Sequence, residues 1–248
     1  AEGEYAVALR LDLAEALSMN RATVEESMEL FEKAYRDSPN DPLAPRALYN
    51  AAFSALQISQ PKTALKLSLE FIQRFPRDTL VDDIRFVAAE SQLQTGKADD
   101  AVETYKRLLS SSNKDNVQRP VWILRAAAAC NAARKYDDAV AMLRPELSRL
   151  KQPAQKAEAQ FMIAQAQMMA GKPAEAASSF QAVRAADPNW ARADEAYLMA
   201  GQAMLVAGDS RGAVATWRQL IKDSPRTRMA DQARYKLAQR ASAEGDFD

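Results

Sequence analysis

Apolar and small residues recur along the chain with a helical period, in two stretches per repeat that are separated by a short break. In the clearest repeat, residues 161–168 and 176–183 carry these stretches, and Gly171-Lys172-Pro173 separates them. Glycine favours the left-handed position that follows a helix, and proline favours the first turn of the next one. The pattern therefore predicts two helices joined by a tight turn.

One small-residue position near the start of the second helix returns six times. Its members are Ser27, Ala64, Ala101, Ala139, Ala176 and Ala213, with successive spacings of 37, 37, 38, 37 and 37. The prolines that end repeats are Pro39, Pro76, Pro188 and Pro225. A fixed period of about 20–50 residues indicates a solenoid built from one supersecondary unit. We therefore predict an all-α fold, a right-handed solenoid of antiparallel helix hairpins with about six repeats and a C-terminal lid helix.

The repeat boundaries follow from this register. We place the repeats at about residues 4–40, 41–77, 78–116, 117–152, 153–189 and 190–226, with a terminal helix at 227–244, all within one domain of 1–248. Residues 2–6 and 243–248 have the form of the turn inside a repeat, although no second half accompanies either of them. We therefore expect the sequence to be a fragment of a longer array.

The order of small residues, turn glycine, alanine, aromatic residue and terminal proline resembles the tetratricopeptide repeat. That family usually has a period of about 34 residues, whereas here the connection between repeats is longer. The connection carries a recurring apolar residue, at Leu43, Leu80, Val117, Ala154 and Ala191. Long-period repeats of this kind resemble those of bacterial cell-envelope proteins, including the Tol–Pal-associated periplasmic coordinator and the outer-membrane assembly lipoprotein. The residues leave the compartment undetermined, and this resemblance favours the periplasm or cell envelope over the cytoplasm.

The charge is balanced overall and uneven locally. Lys and Arg together equal Asp and Glu, 33 against 33, so no global field attracts nucleic acid, and no apolar stretch is long enough for membrane insertion. Residues 1–42 contain ten acids and four bases, a net charge of −6. Basic residues near the other end are Arg226, Arg228, Arg234, Lys236 and Arg240. This asymmetry raises two alternatives, solvated surfaces or weak head-to-tail self-association.

Side chains suited to catalysis are scarce. The chain contains no histidine, and its one cysteine, Cys130, lies in an alanine-rich stretch expected to be buried. The paired acids Asp82-Asp83, Asp99-Asp100 and Asp137-Asp138 stand near predicted helix starts, where carboxylates cap free amides and offset the helix dipole. We therefore expect no enzymatic activity, no cofactor and no metal site.

The resemblance also implies a binding site, because in this family one face of the first helices lines a concave groove. Mapping that face onto the chain selects Tyr49, Asn50, Phe53, Phe86, Glu90, Leu124, Arg125, Phe161, Met162, Gln165, Leu198, Met199 and Gln202. A groove of this composition suits a peptide with hydrophobic anchors. The alternative is that these side chains pack on one another. A clamp for a C-terminal carboxylate is not expected, because only Asn50 and Arg125 carry the side chains that such a clamp needs.

Three functions fit the sequence. The leading interpretation is a non-catalytic scaffold that holds a partner protein or peptide in the groove. The second is a self-associating structural module. The third is an accessory domain of a larger protein whose activity lies outside this sequence.

Overall fold

A computed structural model describes residues 6–244, and every regular element in that range is helical. The helices are α1 (Ala6–Ser18), α2 (Val24–Asp37), α3 (Ala44–Gln57), α4 (Pro61–Arg74), α5 (Val81–Gln94), α6 (Ala98–Ser111), α7 (Arg119–Ala132), α8 (Tyr136–Leu143), α9 (Pro153–Met169), α10 (Pro173–Ala186), α11 (Ala193–Val206), α12 (Ser210–Asp223) and α13 (Arg228–Glu244). The prediction of an all-α fold of helix hairpins is confirmed. The right-handed winding and the repeat boundaries stay predictions.

The chain divides into two compact units, and the boundary between them falls inside α7, after Trp122. In the amino-terminal unit, α1 to α6 form three hairpins, and each helix packs on the helices before and after it. Helices α1 to α5 share one buried cluster, to which Leu11, Phe31, Leu48 and Phe71 contribute. This common core joins the three hairpins into one packed body.

The carboxy-terminal unit contains the rest of α7 and helices α8 to α13. One buried cluster gathers around Phe161 and Phe180, and a second gathers around Trp217 and Leu220. Helix α13 packs on α12 and α11 and buries Ala233 in the second cluster. The predicted lid helix is therefore present, because α13 covers the apolar end of the last complete hairpin.

The recurring small residues are the points of closest helix packing. Ser27, Ala64, Ala101, Ala139, Ala176 and Ala213 are all completely buried. Each is the fourth residue of the second helix in its hairpin. Ser27 also donates a hydrogen bond from Oγ to the carbonyl of Ala14, at 2.6 Å, which satisfies its hydroxyl inside the core. The predicted burial of this position is confirmed in all six hairpins, and its role in setting how the hairpins nest stays a prediction.

In five of the six hairpins, all except the α1–α2 hairpin, the turn after the first helix contains a left-handed residue. Gly96, Gly171 and Gly208 adopt φ values of 77°, 75° and 87° there, as the sequence predicted. At the equivalent turns of two other repeats, Ser59 and Arg134 adopt φ values of 60° and 57°. These two residues accept a conformation that is unfavourable for any residue with a Cβ atom.

Replacing Ser59 by glycine is therefore expected to raise the free energy of unfolding by about 0.5–1 kcal/mol, because the left-handed strain disappears. The reciprocal change, Gly96→Ser, is the matched control, since nothing lies near an added Cβ at that position. It should lower stability by a similar amount. Urea denaturation of both variants checks the signs, and equal effects in the same direction would contradict the conformational explanation.

The longer connections between repeats are fixed by short side-chain turns. The Asp41 carboxylate accepts from the backbone N–H of Leu43 at 2.8 Å, and Asp78 accepts from Leu80 at the same distance. Leu43 and Leu80 then pack against the core. Their counterpart Val117 is 84% exposed, so the apolar connection is a packing device only in some repeats. Residues 2–6 and 243–248 were expected to be turns. Residues 2–5 and 245–248 lie outside the described residues, whereas Ala6 begins α1 and residues 243–244 belong to α13, so the expectation is wrong for these three.

Candidate protein-binding faces

The first helices of the amino-terminal unit present one continuous set of side chains. Residues that are 37 positions apart take equivalent places on α1, α3 and α5, and side-chain contacts connect α1 with α3. The Glu15 carboxylate forms an ion pair with Arg46 and accepts a hydrogen bond from Asn50 at 3.4 Å. We call this set the amino-terminal face. Its members are Leu9, Asp12, Leu13, Tyr49, Asn50, Phe53, Asp83 and Phe86.

This face leaves large apolar side chains uncovered. Leu9 is 67% exposed, Leu13 is 54% exposed and Phe53 is 38% exposed. The Tyr49 and Phe53 rings stack with their centroids 6.1 Å apart. Leu9 and Leu13 were not predicted as groove residues, although they stand 37 residues before Arg46 and Asn50. Extending the register into the first repeat would have found them.

Two adjacent carboxylates at the start of α5 have different surroundings. Asp82 pairs with Arg85 at 3.0 Å and accepts a hydrogen bond from Ser111. Asp83 has no hydrogen-bond or ion-pair partner among the described residues. Burial, and secondarily the charge of Asp82, raise the pKa of the Asp83 carboxyl. Burial and the nearby Asp83 also raise the pKa of Tyr49. An uncompensated negative charge therefore stands beside the aromatic part of this face.

The helix starts also correct the expected role of the paired acids. Each pair lies in the first turn of its helix, where a negative charge complements the dipole. The N-cap residues of these helices are Leu80, Lys97 and Lys135, and none of their side chains caps a backbone amide. The carboxylates lie after the N-cap position, so they are not N-cap residues, and their place in the first turn fits the expected effect on the helix dipole.

The Glu90 side chain is buried between α5 and α6. It is only 7% exposed, and its carboxylate accepts a hydrogen bond from the Tyr105 hydroxyl. Phe86 packs edge-on against the same Tyr105 ring, with centroids 6.2 Å apart. Our prediction of Glu90 as a groove residue is corrected, because its carboxylate bonds within the core. Phe86 is partly exposed and stays a candidate.

In the carboxy-terminal unit, α9 and α11 present a face of different chemistry. We define the carboxy-terminal face by Met162, Gln165, Met169, Met199, Gln202 and Val206. Met169 is 65% exposed and Val206 is 58% exposed, while the predicted members are partly exposed. Lys236 on α13 donates to the side-chain oxygen of Gln202 at 2.8 Å. This face is uncharged, flexible and able to hydrogen-bond through its amides.

Phe161 is a core residue, so its prediction as a groove residue is wrong. Its side chain is 1% exposed. The ring packs at 5.5 Å from the Phe180 ring and at 5.5 Å from the Trp190 ring. The Arg192 guanidinium lies 3.9 Å from the ring centroid. Trp190 and Arg192 belong to the connection before α11, which the helical register does not describe, and they cover this ring.

The bidentate ion pair between Arg192 and Glu195 fixes this cover, with distances of 2.8 and 2.9 Å. The hydrogen bonds to Arg192 hold the pKa of the Glu195 carboxyl below its ordinary value, although burial opposes them. Arg192 and Glu195 neutralise each other in this ion pair, so neither charge is free to bind a ligand on the covered side of Phe161.

Two leucines in the predicted set are also mostly buried. Leu124 is 8% exposed and Leu198 is 7% exposed. Leu198 packs with Trp217, and its carbonyl accepts the indole N–H of that residue at 3.1 Å. Both leucines are corrected to packing residues, because little of their surface reaches solvent. The neighbouring Arg125 is exposed.

The described residues contain no group of three or more His, Cys, Asp and Glu side chains arranged to hold a metal ion. Cys130 is completely buried. Within residues 6–244, no helix has the length and apolar character that a membrane crossing requires.

Sequence comparison identifies the type of repeat in three segments of the chain. The tetratricopeptide repeat family matches residues 84–112, 158–189 and 195–227. The protein contains tetratricopeptide repeats. The matched segments cover parts of the third, fifth and sixth predicted repeats. No curated protein sequence is similar enough to be matched with this one.

Solved structures of tetratricopeptide repeat proteins share the fold. YrrB, described as having an unusual peptide-binding site, has a TM-score of 0.62 and 17% identity, over 84% of this chain and 99% of its own. PilW, a type IV pilus biogenesis factor, has a TM-score of 0.60 and 14% identity, over 91% of this chain and 97% of its own. A tetratricopeptide repeat protein from Parabacteroides merdae has a TM-score of 0.63 and 16% identity, over 97% of this chain and 87% of its own.

At these identities the likeness shows the fold alone. It does not confirm the more specific resemblance to the Tol–Pal-associated coordinator, which stays a prediction.

Proposed function

We propose that this protein is a non-catalytic scaffold that binds a partner protein or peptide on the faces of its first helices. The observation that carries the proposal is the exposure of large apolar side chains on these helices, namely Leu9, Leu13, Phe53, Met169 and Val206. Exposed apolar side chains that gather on one face indicate an interaction site. Tetratricopeptide repeats generally act as protein-interaction scaffolds, which supports the same function.

Site-specific photo-crosslinking in the native host tests this proposal. A photoreactive phenylalanine analogue replaces Phe53 on the amino-terminal face, and in a second variant it replaces Val206 on the carboxy-terminal face. Both side chains are already exposed, so the substitutions should leave the fold intact. We expect each variant to form discrete crosslinks with a partner protein, because the analogue reacts only with atoms in direct contact.

Matched control positions are exposed residues on second helices. Leu69 on α4 is 52% exposed, and Gln219 on α12 is also exposed. The same analogue at these positions should give no discrete partner. Crosslinks of equal strength at face and control positions would contradict the proposal, as would crosslinks at the control positions alone.

The same experiment separates the remaining hypotheses. A crosslinked product with the mass of two copies would support self-association, in which the acidic first repeat meets the basic last helix. In the described part of the basic cluster, Arg234 pairs with Asp231 at 2.7 Å, whereas Arg226 and Arg228 make no ion pair. We also propose a cell-envelope location, which is supported by the repeat length alone. A cytoplasmic partner would contradict that location.

A further inference from the structure

We propose that the amino-terminal face binds a segment that combines apolar side chains with lysine or arginine, and that Asp83 and Asp12 receive its cations. This inference rests on the proposed function and specifies the chemistry of the partner. The apolar part of the segment covers Leu9, Leu13 and Phe53, which the fold leaves exposed.

Charge on this face is unbalanced. The Arg46 cation is already engaged by Glu15. Asp12 on α1 and Asp83 on α5 have no ion pair within the described part of the chain. Asp12 directly precedes Leu13, and Asp83 acts on the ring hydroxyl of Tyr49. The apolar surface therefore carries two negative charges, those of Asp12 and Asp83. Such a surface is complementary to a segment that is both apolar and cationic.

Asp83 also works against folding, because burial and the charge of Asp82 raise its pKa despite its favourable place in the first turn of α5. Its neighbour Asp82 has Arg85 and Ser111 as partners, whereas Asp83 is partly buried without one. A partly buried charge without a partner destabilises the folded state. Natural chains break such rules mainly at functional sites. A lysine or arginine from a ligand would supply the partner that the chain itself does not.

Selection from a phage library of random dodecapeptides tests the inference. The library is selected in parallel on the wild type and on Asp83→Asn. We expect wild-type selections to be enriched in peptides that carry Lys or Arg among aliphatic or aromatic residues, and the Asp83→Asn selection to lose the basic residues. For one selected peptide, Asp83→Asn should weaken binding about three- to tenfold, because a charge-assisted contact is lost.

Each variant has a control in the same unit. Asp100→Asn on α6 removes the same charge at an exposed position away from the face. It should leave the basic enrichment and the affinity unchanged. Phe53→Ala should weaken the selected peptide about tenfold, as expected for an apolar anchor. Leu69→Ala, on α4, should not.

The outcomes distinguish this inference from the proposed function. If the selected peptides bind this face and carry no basic residues, the inference is overturned, whereas the proposed scaffold function is not. Equal losses for Asp83→Asn and Asp100→Asn would also overturn it, since they would indicate only a long-range field. Selections without any binder, together with crosslinking without any partner, would overturn both.

Stability supplies a second readout. The pKa of Asp83 is raised by burial and Asp82. Of the described residues on the packed helices α3, α4 and α6, only Tyr49 interacts with Asp83 electrostatically, and its hydroxyl is neutral at neutral and acidic pH. The charged carboxylate therefore opposes folding above its folded pKa, and this penalty vanishes below its ordinary pKa of 3.8. Asp83→Asn should raise the melting temperature at neutral pH and not at about pH 3. Asp100→Asn should raise it at neither pH.

Discussion

Replacing Gly201 by alanine is expected to lower the free energy of unfolding of the carboxy-terminal unit by about 2–3 kcal/mol. Inside a helix, the change from glycine to alanine ordinarily stabilises by up to about 1 kcal/mol. Gly201 lies in α11 directly against the Trp217 indole, and an added Cβ would stand 2.7 Å from the ring atoms Cδ1 and Cε2. The clash displaces the indole and breaks its hydrogen bond to the Leu198 carbonyl.

Urea denaturation followed by tryptophan fluorescence and circular dichroism measures this loss. A second substitution, Trp217→Phe, provides the control, because the smaller ring leaves room for the methyl group. In that background Gly201→Ala should cost less than about 1 kcal/mol, so the two changes are coupled. If Gly201→Ala stabilises the wild type, the close approach of α11 and α12 described here is contradicted.

The repeats could be predicted because their determinants are local and periodic. The small position needs a side chain no larger than alanine or serine, and the left-handed turn position favours glycine. Both requirements return every 37 residues and are visible in one sequence. The exceptions at Ser59 and Arg134 show that register imposes the turn conformation even where glycine is absent.

The residues of the two candidate faces were predicted less well, because exposure depends on contacts outside the helices. Phe161 and Met162 are neighbours in the same apolar stretch, yet Trp190 and Arg192 from the following connection cover only the first. No helical period describes that connection. The sequence also could not predict that the carboxylate of Asp83 lacks a partner, because either of the adjacent acids could have paired with Arg85, and the structure shows that Asp82 does.

The 37-residue register can be tested directly at Ala176, the recurring small residue of α10. Ala176→Leu is expected to lower the free energy of unfolding by about 1–3 kcal/mol, because Ala176 is completely buried where α10 crosses its neighbours. The added isobutyl group has no space beside Phe180, which is also completely buried. Thermal and urea denaturation measure the loss.

Ala174→Leu on the same helix is the matched control, since Ala174 is exposed. Its effect should stay within about 0.5 kcal/mol, because both residues have high helix propensity and no packing changes. The two variants have the same composition and differ only in which side of α10 carries the leucine. Equal effects would mean that the hairpins do not nest at Ala176. The repeat register would then be wrong, and so would the two candidate faces, because both are defined from that register.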